Sequence, residues 1–155
     1  MSIEDFKGLM DEFDPASLLP DLDAIMSTVA VIARIAIVIG PLLLLLMGLV
    51  YLFATPKEAN YHIGFRCYYG MGSVQAWQFT QRLAGLVWTG LGLVLSVIML
   101  LIGLGFAKMQ TMDLLWRAVS CVLWEAGLTI AAYIAVNVVV IRRFDKKGEL
   151  RKKTR

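Results

Sequence analysis

Histidine occurs once in the 155 residues, at His62, and cysteine only twice, at Cys67 and Cys121. So few ligating side chains make no recognisable metal set, and a disulfide between a loop cysteine and one inside an apolar run is not expected. No nucleophile–base pair and no matched pair of carboxylates stands out, so the sequence leans away from an enzyme and calls for no cofactor. Positive charge is almost missing from the start of the chain, where Glu4, Asp5, Asp11, Glu12, Asp14, Asp21 and Asp23 face Lys7 alone. A cleavable signal begins with basic residues, so this segment is not read as one.

Charge of either sign is also missing from 35–54 and 83–107, and 118–141 carries only Glu125 and Asn137 as strongly polar positions. With 59% hydrophobic residues and a mean hydropathy of +0.71, these runs exclude a soluble fold. Each is long enough for a hydrocarbon core of ~30 Å, and in lipid each must be a helix, because backbone groups have no other partner there. The fold expected is all-α: a single integral membrane domain over 1–155 with three transmembrane helices. Its parts are an acidic segment 1–22, a first span 24–54, a loop 55–82, a second span 83–107, a third span 116–141 and a basic tail 142–155. Ile3, Phe6, Leu9, Met10 and Phe13 recur at helical spacing, which suggests a short amphipathic helix ended by Pro15 and Pro20. Gly40-Pro41 is expected to bend the first span, and Ser73 is a suitable N-cap for a second helix running unbroken to about Ala107.

The tail holds Arg142, Arg143, Lys146, Lys147, Arg151, Lys152, Lys153 and Arg155 against Asp145 and Glu149. Basic residues near span ends stay in the cytoplasm, which places the C-terminus and the 55–82 loop inside and the acidic N-terminus outside. Such a tail fixes topology and attracts anionic lipid, or docks a soluble partner; nucleic acid is not an expected partner.

Within the spans, Gly85, Thr89, Gly92, Ser96 and Gly103 form one small-residue seam, and Gly127, Ala131 and Ala135 form another. Small residues let helices approach closely, so these faces are expected to hold the bundle together or to form a homo-oligomer. Arg34 and Glu125 are the expensive positions in lipid. Their estimated depths are compatible, so a pair that fixes helix register is the leading expectation, with a separate functional carboxylate and a snorkelling arginine as the alternatives. Asn137 reads as interhelical glue.

The loop is too varied for a tether. Asn60, Gly64-Phe65-Arg66, Ser73, Trp77 and Gln81-Arg82 with Gly85 resemble the signature of the SdpI-type immunity protein family, with Cys67 where that family usually carries Thr or Ser. The resemblance implies a bacterial, multi-pass cell-membrane protein that protects against a secreted peptide toxin by binding, and that can hold a cytosolic regulator at the membrane. It marks Asn60, Gly64, Arg66, Trp77, Gln81 and Arg82 as the binding loop. In physical terms Gly64 permits a tight turn, Arg66 suits a carboxylate, a phosphate or helix-end carbonyls, and Trp77 suits a headgroup anchor. The alternative is that the same residues only fold the loop, in a structural or accessory subunit of a larger membrane complex or transporter.

Overall fold

A computed structural model describes residues 22–59, 62–106 and 109–151. Asn60, the acidic segment with the amphipathic helix expected there, and the end of the tail from 152 lie outside the described residues. Three helices make up the rest: α1 (Leu22–Phe53), α2 (Val74–Gly105) and α3 (Thr111–Arg143). All three are long and apolar enough to cross a membrane.

Local chemistry accounts for their ends. The Ser73 hydroxyl accepts the Ala76 amide at 3.1 Å, so α2 starts where the N-cap is expected. The third helix carries Asp113 in its first turn and Arg142 and Arg143 in its last, each sign opposite the helix dipole at its own end. The first helix runs through Pro41 as one element.

The seam on α2 packs against α1. A β-carbon on Gly48 would collide with the Thr89 backbone, and one on Gly92 would come within 2.5 Å of the Leu45 amide nitrogen. These contacts leave no space for a side chain, and they make α1 and α2 the most closely joined pair. The second ladder behaves otherwise. A β-carbon on Gly127 would meet nothing within 4 Å, and Ala131 and Ala135 are exposed, so this face of α3 takes no part in holding the three helices together. Contacts from α3 are carried instead by Leu114 and Ala118 at one end and by Val136 and Val140 at the other, all buried.

The expected Arg34–Glu125 pair does not form. Arg34 Nε and Glu125 Oε1 are both buried without a hydrogen-bond partner. Glu125 lies against Gly40, where a β-carbon would come within 2.9 Å of Oε2. Gly40 is six positions beyond Arg34 on α1, roughly 9 Å along the axis at 1.5 Å per residue, which removes the pair by register. Asn137 also serves its own helix, donating to the Tyr133 carbonyl at 2.9 Å rather than bridging to another.

Candidate functional site

The loop between α1 and α2 is folded from within. The amide of Phe65 donates to Gln81 Oε1 at 2.7 Å, and Gln81 Nε2 donates back to the Phe65 carbonyl at 2.8 Å. One side-chain amide thus satisfies both backbone groups of a buried loop residue, the task a neighbouring strand would perform in a sheet. Trp77 stands one helical turn before Gln81 and is completely buried, with its indole N–H donating to the Pro56 carbonyl at 2.9 Å. Gly64 lies on the edge of that ring at φ 128°, and a β-carbon there would come within 2.7 Å of it. Only glycine meets both conditions. Trp77 is therefore a pillar under the loop and not a headgroup anchor: its ring is enclosed by protein.

Phe65 places its ring among Tyr51 of α1, Trp88 of α2 and Tyr133 of α3, with centroids 6.5, 5.6 and 5.1 Å away. The loop thus plugs the point where all three helices meet. Cys67 is buried beside Gly70 and Thr80, and Gly70 lacks the β-carbon that would separate the thiol from the Thr80 hydroxyl. Burial raises the Cys67 thiol above its usual value, against the opposing pull of the Gly70 amide and the Thr80 hydroxyl.

Two arginines of the signature point the other way. Arg66 is exposed, reaches the His62 carbonyl at 3.5 Å, and borders a cavity of about 520 Å³ with Tyr51, Trp88 and Tyr133. Arg82 is exposed beside Lys57 at a smaller cavity of about 280 Å³. Gly64, Trp77 and Gln81 build the loop, and Arg66 and Arg82 present charge from it. The structure does not bring Arg34 or Glu125 to this end; Asn137 lies at its level on α3, between Val136 and Val140 of the cluster around Phe65, but donates to its own helix.

The segment after α3 belongs to the same unit, which the reading of a plain basic tail missed. Asp145 Oδ1 accepts the amides of Lys147 and Glu149 at 2.9 and 2.8 Å, and Gly148 turns the chain at φ 74°. The Gly148 carbonyl then accepts the Ser73 hydroxyl at 2.7 Å. Arg143 lies 4.2 Å over the Phe79 ring, and Phe144 packs on the same ring. The signal was present in Asp145-Lys-Lys-Gly148, an Asp at the first and a Gly at the last position of a turn.

Three membrane-length helices closed at one end by an internally braced loop define a multi-pass membrane protein. The chain belongs to the SdpI/YfhL protein family, whose model matches residues 57–141, more than half of its length. The match opens on the loop and runs through α2 and most of α3. No curated protein and no solved structure matches the chain.

Proposed function

We propose that the protein is an SdpI-like immunity or toxin-response protein of the bacterial cell membrane, acting by binding and not by catalysis. The observation that carries this reading is the arrangement of the family signature: Gly64, Trp77 and Gln81 are packed and bonded inside the mouth, and Arg66 and Arg82 are exposed on its surface. A rigid scaffold presenting guanidinium groups suits recognition of a carboxylate or a phosphate, on a peptide, a lipid or a docked regulator. The basic residues around the loop and after α3 favour a cytoplasmic mouth, with the N-terminus of α1 outside. The test is expression in a sensitive host challenged with secreted membrane-active peptides. Survival that depends on Arg66 supports the reading, and no protection against any of them removes it.

A second reading, an accessory subunit of a larger membrane assembly or a homo-oligomer, is favoured by the outward ladder of Gly127, Ala131 and Ala135. Crosslinking through cysteines placed on that ladder distinguishes it.

A further inference from the structure

The bundle keeps one carboxylate where its surroundings are apolar. Glu125 is only 8% exposed, and its Oε1 has no hydrogen-bond partner. Gly40 leaves space for the other carboxylate oxygen, and Pro41 follows it, with no N–H to offer. Around the carboxylate lies a cavity of about 500 Å³ between α1 and α3, bounded by Leu44, Met47, Trp88, Thr129 and Ile130. Met47 and Ile130 are also exposed on the helix surfaces, so the cavity is open toward lipid. Met47 and Trp88 line in addition the cavity that ends at Tyr51 and Arg66, so the two adjoin along α1. From Gly40 to Tyr51 the first helix advances about 16 Å at 1.5 Å per residue.

The chemistry of this groove restricts its occupant. Lipid acyl chains match its walls but offer nothing to Glu125. A lone carboxylate without a donor in an apolar medium is strongly unfavourable, and Arg34 is held away at a different cavity between α1 and α2. An ammonium group supplies both the opposite charge and N–H donors. The volume lies within the ~300–1,000 Å³ of ordinary small-molecule sites. We infer that the α1/α3 groove binds a long-chain amine from the bilayer, with its amine at Glu125 and its chain along Met47, Trp88 and Tyr51. The site stands on the cavity and the carboxylate, independently of the immunity reading.

The test uses the full chain in phosphatidylcholine nanodiscs. Dicyclohexylcarbodiimide, a lipid-soluble reagent for carboxyl groups, should label Glu125, as mapped by mass spectrometry. Dodecylamine should slow that labelling about tenfold, and dodecane should not. Equal slowing by dodecyltrimethylammonium, which has the charge but no N–H, would indicate a surface-charge effect and overturn the site. Failure to label Glu125 at neutral and also at mildly acid pH, where the carboxyl holds the proton that the carbodiimide needs, would overturn it too, because the carboxyl would then be unreachable from lipid. Dodecylamine should also raise the melting temperature of the wild type. The near-isosteric Glu125→Gln and the cavity-filling Ala126→Trp should both lose that rise while keeping wild-type helicity. A rise retained in Glu125→Gln would rule out the carboxylate as the anchor. Because none of these readouts involves a toxin, failure here is distinct from failure of the immunity reading.

Discussion

Gln81 grips Phe65 by both of its backbone groups, accepting from the amide at 2.7 Å and donating to the carbonyl at 2.8 Å. The clamp joins α2 to a residue sixteen positions earlier and holds the Phe65 ring at the junction of the three helices. Removing it leaves two buried backbone groups unpaired, at about 1–3 kcal/mol each. Gln81→Ala should therefore lower the melting temperature in detergent and speed tryptic cleavage at Arg66. Gln81→Glu should be at least as damaging, because it loses the donor and sets a negative charge against the Phe65 carbonyl. Wild-type melting in both variants would mean that the loop is held by other contacts.

Arg66 is exposed at the edge of this frame, so its substitutions should weigh more on function than on folding. Arg66→Lys keeps the charge and loses the planar fork. Protection of a sensitive host should fall sharply, while membrane abundance and melting temperature stay near wild type. Gly64→Ala gives the contrasting result: a β-carbon pressed on Trp77 at a positive φ should reduce abundance and protection together. Full protection by Arg66→Lys at normal abundance would remove Arg66 from the site.

Cys67 offers a probe of loop closure. Burial holds its thiol above the usual value, so it stays neutral, and alkylation by a polar maleimide at pH 7–8 should be at least tenfold slower than for an exposed cysteine. Its folded value is raised, so its contribution to stability is complete below the ordinary thiol range and is lost as pH rises through the raised value. Cys67→Ser should remove that alkaline component from the pH dependence of melting. Rapid alkylation of the folded wild type at neutral pH would mean that the loop opens readily.

Orientation is tested by accessibility. Single cysteines at Ser2 and at the exposed Lys146, in a background lacking the native pair, should react with a membrane-impermeant maleimide from outside only at the first position. The reverse pattern would put the loop outside, where a secreted peptide could meet Arg66 directly.

The spans were legible because hydrocarbon demands uninterrupted apolar helices, and the Ser73 cap and the Gly85–Gly92 seam followed from chemistry local to one helix. The loop signature was legible as a set of residues but not as a division of roles. Nothing in the spacing of Trp77 says whether an indole faces headgroups or a glycine. Arg34 and Glu125 were misjudged for a related reason: counting residues from helix ends gives depth with an error of a turn, and a turn decides who meets whom. The fold of 144–151 was hidden by its charge, since Lys146 and Lys147 mask a turn set by Asp145 and Gly148.

The bond from the Ser73 hydroxyl to the Gly148 carbonyl spans 75 residues, and both membrane crossings α2 and α3 lie between its ends. The N-terminal cap of α2 is thus completed by a segment that reaches it only after the chain has traversed the bilayer twice more. Closing a contact over so long an interval is entropically slow. A nascent chain with α2 already inserted therefore lacks this part of the mouth until the residues after α3 arrive. A protease or a quality-control factor at that face would meet an open cap on incomplete molecules and a closed one on complete molecules.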